Sequence, residues 1–267
     1  MAATQDELLA VAHEAAEAGA HELRSRFGGR DQGVRTKTGP TDLVSDADFA
    51  AEAAVRAVLS DRRPHDTVIG EEGGAVHGSG DHRWYVDPLD GTVNFLYEIP
   101  MFAVSVACED ETGTLAGVVI DPIREECFAA TQSATGVTLN GGAITASSCS
   151  DLGTALVATG FGYDSSIRAA QASVVARLLP AVRDIRRAGA AALDLCWTAC
   201  GRFDAFYERG LNPWDQAAGA LICSRAGLSV RTLEATDEAQ EGVAAAPAAL
   251  IDGFLSLLEG DSGPSGA

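Results

Sequence analysis

The sequence predicts an α+β protein in which Ala-rich helices lie in layers against β-sheets. Two patterns carry this prediction. Three strand-like runs at 102–108, 113–120 and 126–130 follow one another with only turn residues between them, the pattern of an antiparallel sheet. Beyond Gly136 short strands alternate with Ala-rich helical segments, and an apolar content of 46% with only 6% aromatic residues suits helices packed closely over sheets.

Each element has its own signal. Residues 6–27 carry Leu8, Leu9, Val11, Ala12, Ala15, Ala16 and Leu23 at helical spacing, and Gly28-Gly29 closes the helix. A second helix begins at Ser45, where Asp48 three residues on forms a capping box, and its expected apolar face is Phe49, Ala53, Val55, Val58 and Leu59. Thr67-Val68-Ile69 reads as a short strand, and a buried strand follows around Val86. The later half reads as a strand at 155–159, helices at 165–179 and 190–200, and strands at 202–207 and 228–232. The last two flank a helix opened by Asn212-Pro213-Trp214-Asp215.

Composition excludes several function classes. With 267 residues the chain can bury a substantial core. Its 38 acidic against 19 basic residues, a net charge of −19, argue against nucleic-acid binding through a basic surface. Asp6, Glu7, Glu14, Glu17 and Glu22 interrupt the amino terminus, and no apolar run reaches membrane-spanning length, so the sequence reads as cytoplasmic with no membrane partner. The six cysteines include no Cys-x-x-Cys pair and read as free, mostly buried thiols.

The chemistry concentrates in Trp84-Tyr85-Val86-Asp87-Pro88-Leu89-Asp90-Gly91-Thr92-Val93-Asn94-Phe95. Pro88 cannot continue a strand ladder, and the turn after it brings Asp87 and Asp90 toward one point, which suits a hard cation such as Mg²⁺. On turn chemistry alone, the same residues also read as an Asp-Pro-x-Asp-Gly surface turn. Two further acidic signals adjoin apolar segments. Glu71-Glu72 follows a strand and precedes Gly73-Gly74, while Asp215 falls in the first turn of a helix, where a carboxylate suits the dipole. Separately these are a solvated loop and an N-cap; together they supply a metal cluster.

In their order and spacing, from about Val34 to about Val230, these segments resemble the inositol monophosphatase family, within the lithium-sensitive, Mg²⁺-dependent superfamily that includes fructose-1,6-bisphosphatases. The resemblance implies a layered α-β-α-β-α fold, a homodimer and two or three Mg²⁺ ions. It implies Glu71, Asp87, the Leu89 carbonyl, Asp90 and Asp215 as metal ligands, with Asp87 bridging two ions. Gly91 and Thr92 would hold the phosphate, Asp48 would partner Thr92, and Lys37-Thr38 would belong to a basic loop that helps retain a metal. Gly189, Ala190 and Ala191 would line the substrate pocket, Ala190 standing where many relatives carry a hydroxyl residue. Glu208 would hold an inositol hydroxyl. The chain would divide into an N-terminal half, 1–135, carrying the metal turn, and a C-terminal half, 136–259, carrying the pocket, with 260–267 a disordered tail.

A phosphate monoester dianion repels hydroxide, so its hydrolysis needs charge neutralisation and an activated water, both of which a metal pair supplies. Glu71, Thr92 and Asp48 are the residues expected to order that water. The expected substrate is a small phosphate ester, with inositol 1-phosphate first. Fructose 1,6-bisphosphate, histidinol phosphate or a nucleotide 3′-phosphate would be turned over by the same chemistry. A regulatory protein that binds a macromolecular partner on this fold is the reading from another class.

Overall fold

The amino-terminal pattern folds as α1 (Gln5–Arg26), which buries Leu8, Val11, Ala12, Ala15, Ala16, Ala20 and Leu23. Thr4 caps it: its hydroxyl accepts from the Glu7 N–H at 3.2 Å, and the Glu7 carboxylate accepts from the Thr4 N–H at 2.8 Å. The computed structural model describes residues 3–29, 33–37, 39, 41–133, 136–236 and 239–260. Thr38 and all of the expected tail except Gly260 lie outside the described residues.

A two-stranded hairpin, β1 (Arg35–Thr36) with β2 (Leu43–Val44), leads into α2 (Asp46–Arg62). The expected face of α2 is corrected. Its inward residues are Ala47, Asp48, Ala51, Glu52, Val55 and Leu59, whereas Phe49 and Ala53 are exposed. Phe49 lies under the Arg35 guanidinium, 5.5 Å from its ring centroid. Two carboxylates thus occupy positions that hydropathy alone assigns to water.

The first sheet is built from β3 (Thr67–Gly70), β4 (Gly74–Val76), β5 (Arg83–Asp90), then, after the short helix α3 (Thr92–Leu96), β6 (Ala103–Asp110), β7 (Gly113–Asp121), β8 (Glu126–Thr131), β9 (Val137–Leu139) and β10 (Gly142–Ala143). Its eight strands run in the order β10-β9-β8-β7-β6-β5-β3-β4, antiparallel throughout except for β3 beside β5. The antiparallel sheet expected from the runs after residue 102 is therefore present.

Next come β11 (Leu156–Thr159), α4 (Ser165–Leu178), β12 (Asp184–Arg186), α5 (Ala191–Ala199), β13 (Ala205–Arg209), α6 (Pro213–Arg225), β14 (Ser229–Leu233), β15 (Gly242–Ala246) and α7 (Ile251–Glu259). The second sheet has the order β12-β11-β13-β15-β14, with β11 parallel to both β12 and β13. The parallel pairs are joined through α4 and α5, because parallel strands need a crossover.

Three apolar cores set the layering. α1 and α2 pack on one face of the large sheet around Trp84, Val86 and Phe102. α5 and α6 lie between the two sheets, where Leu193, Leu195 and Ile222 meet Phe128 and Phe206. α4 and α7 cover the far face of the small sheet, with Leu178 and Phe254 against Val157 and Tyr207. The chain has the α-β-α-β-α order that its motifs imply. Fully burying a side chain such as Phe102 or Phe254 contributes roughly 2–3 kcal/mol.

Candidate active site

The site grows from the end of β5. The pairing of β5 with β6 shifts register between Asp87 and Asp90, so Pro88 and Leu89 bulge out and both carboxylates emerge near the same end of the strand. The Leu89 N–H donates to Asp87 Oδ1 at 3.0 Å and fixes that side chain. Gly91 then takes φ +95°, and a Cβ there would crowd the Met101 carbonyl at 3.0 Å. Phe95 anchors the turn from behind, with its ring centroid 5.0 Å from Phe102 and 5.6 Å from Phe27.

Three chain segments meet at this turn. Carboxylate oxygens of Glu71, Asp87 and Asp215 lie within 4.8 Å of one another. Glu71 is held beside β5 by its N–H, which donates to the Val86 carbonyl at 3.1 Å. Asp215 is set by the α6 N-terminus, where its Oδ2 accepts from the Asn212 N–H at 2.6 Å. Lys37 reaches this group from the β1–β2 hairpin: its ammonium donates to Glu71 Oε1 at 2.7 Å and also to Glu72. Glu71 and Glu72 are therefore a clamped, half-buried pair, not the solvated loop they resemble in isolation.

Asp90 has a different environment from the other three. Its Oδ1 accepts from the Ala191 N–H at 2.8 Å, and its Oδ2 accepts from the Ala192 and Leu193 N–H groups at 2.9 and 3.2 Å. One carboxylate thus ties the β5 turn in the first sheet to the first turn of α5 in the middle layer. The Thr92 hydroxyl lies between two acceptors, Asp48 Oδ1 at 2.9 Å and the Leu89 carbonyl at 3.1 Å.

Packing so many acids together raises their proton affinity. Burial, then the charges of Glu71, Asp90 and Asp215, hold Asp87 well above the usual carboxylate range. Burial pushes Asp90 up to about 7 against the three backbone donors, and pushes Asp215 up to about 7 against its Asn212 contact. Glu72 rises to about 7, mainly through burial, despite Lys37.

The remaining residues sit around the same cleft of about 480 Å³, which Lys37, Glu71, Asp87, Leu89, Asp90 and Gly91 line together with Thr92, Gly189, Ala191, Glu208 and Asp215. Burial raises Glu208 to about 8, and nearby Arg187 only partly opposes this. Ala190 lies beneath the loop, 1% exposed, and its methyl packs toward Gly91 while Gly189 and Ala191 face the cleft. Asp48 is both the third residue of the α2 capping box and the partner of Thr92.

Sequence reasoning missed three supporting groups. Glu52 accepts from the Glu72 and Gly73 N–H groups, each at 2.8 Å, and so holds the Glu71 loop. Asn94 donates to the Met101 and Ala188 carbonyls, both at 2.8 Å, pinning the loop before α5. Asp194 is buried on α5 with neither carboxyl oxygen hydrogen-bonded among the described residues. For Glu52 the available signal was its i,i+4 spacing from Asp48.

A sequence model of the inositol monophosphatase family matches residues 4–260. The chain belongs to the inositol monophosphatase family. It is 42% identical over 247 residues to the inositol-1-monophosphatase SuhB of Mycobacterium tuberculosis, covering 88% of this chain and 84% of that relative. It is 39% identical over 222 residues to a chain of Escherichia coli K12 named Nus factor SuhB, covering 82% and 83% of the two. The crystal structure of the extragenic suppressor protein suhB from Bartonella henselae superimposes with a TM-score of 0.88 at 33% identity, over 95% of this chain and 99% of that one. As a member of the inositol monophosphatase family, the protein is a phosphatase.

Proposed function

We propose that this phosphatase hydrolyses myo-inositol 1-phosphate to inositol and phosphate, with Mg²⁺ as its metal. The observation that carries the reading is the meeting of the Glu71, Asp87 and Asp215 carboxylates with the Thr92 hydroxyl and Glu208 in one cleft. An all-oxygen donor set of clustered, partly buried carboxylates fits a hard divalent cation, whose charge would relieve their mutual repulsion. Glu71, Asp87, the Leu89 carbonyl, Asp90 and Asp215 would hold two or three ions. Bound Mg²⁺ supplies charge to the phosphate oxygens and lowers the pKa of a water.

The protein groups supply orientation. Thr92, fixed by Asp48, aligns the attacking water, and Glu71 accepts or relays its proton. The Gly91 and Thr92 N–H groups hold phosphate oxygens, while Gly189 and Ala191 form the sugar-facing wall over Ala190. Glu208, whose carboxyl burial holds above the usual carboxylate range, faces the cleft where it can hydrogen-bond polyol hydroxyls. A homodimer, cytoplasmic residence and a division of the chain near residue 135 belong to the same reading and are supported by the family resemblance.

The test is phosphate release from inositol 1-phosphate, fructose 1,6-bisphosphate, histidinol phosphate and adenosine 3′,5′-bisphosphate, each with Mg²⁺ and with chelator. Mg²⁺-dependent preference for inositol 1-phosphate is expected. Preference for another ester keeps the metal chemistry and removes Glu208 as an inositol ligand.

A second reading is a partner-binding role on the same fold, favoured by the 39% identity to a relative named Nus factor. An Asp90→Asn variant that loses phosphate release but still rescues a deletion strain would support that role.

A further inference from the structure

β11 and β13 run parallel, with Thr159 opposite Tyr207, so Gly160 and Glu208 come next, side by side, where β11 ends. The carboxyl ends of neighbouring parallel strands are the edge at which sheets of this kind receive ligands. Here the two positions depend on each other. A Cβ on Gly160 would stand 2.0 Å from Glu208 Oε1 and 2.1 Å from both Cδ and Oε2. The carboxyl group of Glu208 therefore fills the space that a side chain at position 160 would take.

Glycine at 160 has no cause in the backbone. Gly91 and Gly189 take positive φ, whereas Gly160 lies outside the left-handed region. The three atoms nearest its missing Cβ all belong to the far end of Glu208, a side chain that can swing. An alanine there strains no backbone and displaces a carboxyl instead. Nothing polar tethers that carboxyl against the change: it makes no hydrogen bond and no ion pair among the described residues. The neighbouring Arg209 is spent on the carbonyls of Leu233, Glu234 and Gln240. Asp194, buried with neither oxygen hydrogen-bonded among the described residues, feels the Glu208 charge and offers it no counter-ion. The open side of Glu208 is the cleft, which it lines with Gly91 and Asp215.

We propose that Gly160 is a specificity-determining position: by ceding its side-chain space to the Glu208 carboxyl, it sets that carboxyl at the back of the cleft and leaves the depth that a ring-shaped polyol needs. This role rests on the inositol 1-phosphate reading, in which Glu208 meets hydroxyls of the leaving alcohol, and deepens it. Ordinary contact with a Cβ begins at 3.4 Å, so an alanine at 160 drives the carboxyl about 1.4 Å away from the strand end and into the cleft. A displacement of that size misaligns the alcohol and shortens the room for a ring, while a smaller acyclic alcohol still fits in front of it.

The experiment compares kcat/KM for inositol 1-phosphate and for glycerol 2-phosphate, an ester of a smaller acyclic alcohol, on the Mg²⁺-loaded wild type, G160A, E208D and G160A/E208D. The ratio of the first to the second should fall roughly ten- to a hundredfold in G160A, the cost of a misplaced hydrogen-bonding group. E208D, one methylene shorter, should also lower the ratio, but should lower it little further when G160A is already present, because both changes move the same carboxyl. An unchanged ratio in G160A, or losses that simply multiply in the double variant, overturns the role of Gly160 while inositol 1-phosphate is still hydrolysed. Should G160A melt well below the wild type, E208D should restore its Tm, and a double variant that melts as low as G160A overturns the proposal because the clash then lies elsewhere. Absence of Mg²⁺-dependent release from inositol 1-phosphate by the wild type overturns the inositol 1-phosphate reading and the role of Gly160 with it.

Discussion

The Thr92 hydroxyl lies 2.9 Å from Asp48 Oδ1, while Oδ2 of the same carboxylate accepts from the Ser45 N–H at 2.8 Å and the Ser45 hydroxyl at 2.7 Å. One buried carboxylate therefore caps a helix with one oxygen and orients a hydroxyl of the proposed phosphate turn with the other. The two roles separate by substitution. Ser45→Ala removes part of the cap and should cost about 1 kcal/mol while leaving kcat near wild type. Asp48→Asn can keep the Ser45 N–H on its amide oxygen, but its amide N–H then donates to the Thr92 hydroxyl, which turns to the Leu89 carbonyl alone; the lost charge-assisted bonds should cost about 1–2 kcal/mol. Asp48→Asn should also lower kcat roughly a hundredfold by releasing Thr92. Urea midpoints and phosphate release on both variants check this; equal kcat in the two would reduce Asp48 to a helix cap.

Asp215 allows a cleaner test of the metal ligands, because its cap survives the change. Asparagine can still accept the Asn212 N–H, so Asp215→Asn should melt close to wild type. Its Mg²⁺ affinity should fall by more than the roughly ten- to hundredfold that loss of an outer-shell partner costs. Titration calorimetry with Mg²⁺ alone measures this without any substrate. Unaltered affinity would remove Asp215 from the ligand set.

The metal-free protein should respond to pH in a defined direction. Asp90 and Asp215 stand at about 7 in the fold against ordinary values of 3.8, and Asp87 is also raised, so the native state binds protons that the unfolded chain releases. That contribution to stability is complete below pH 4 and is lost as pH rises through about 7. Apo protein should therefore melt at a lower temperature at pH 8 than at pH 6. Mg²⁺ should raise Tm more at pH 8, where the ligands are already ionised, than at pH 6. Thermal melts at the two pH values with Mg²⁺ and with chelator check both statements. An apo Tm that rises between pH 6 and pH 8 would mean that these acids are ionised throughout.

The sequence made the site more legible than the scaffold behind it. Asp87, Asp90 and the Gly91-Thr92 turn were readable because each sits beside a proline or glycine that dictates its backbone. Glu71 and Asp215 were readable because they follow a strand and open a helix. What escaped was decided by tertiary contacts. The Gly242–Ala246 strand reads as Gly-Val-Ala-Ala-Ala, without strand alternation, and becomes a strand because it is buried between β13 and β14. The α2 face was misassigned because Phe49 is apolar, yet Asp48 and Glu52 turn inward, where Thr92 and the Glu71 loop offer them donors.

Glu52 is the sharpest case, since hydropathy places it in water and the structure leaves it 3% exposed. Both its oxygens are used, one by the Glu72 N–H and the other by the Gly73 N–H and by Arg56 Nε at 2.6 Å. Glu52→Ala leaves the Glu72 and Gly73 N–H groups and Arg56 Nε without their acceptor, while Arg56 Nη2 keeps the Gly74 carbonyl, and should cost about 2–3 kcal/mol. The loop it holds carries Glu71, so the Mg²⁺ concentration for half-maximal activity should rise as well. Glu52→Gln restores one acceptor and should fall between wild type and Glu52→Ala on both measurements. Urea unfolding and Mg²⁺ titration of activity read the two effects separately. Reduced stability with an unmoved Mg²⁺ requirement would show that Lys37 and the Val86 carbonyl suffice to hold Glu71 in place.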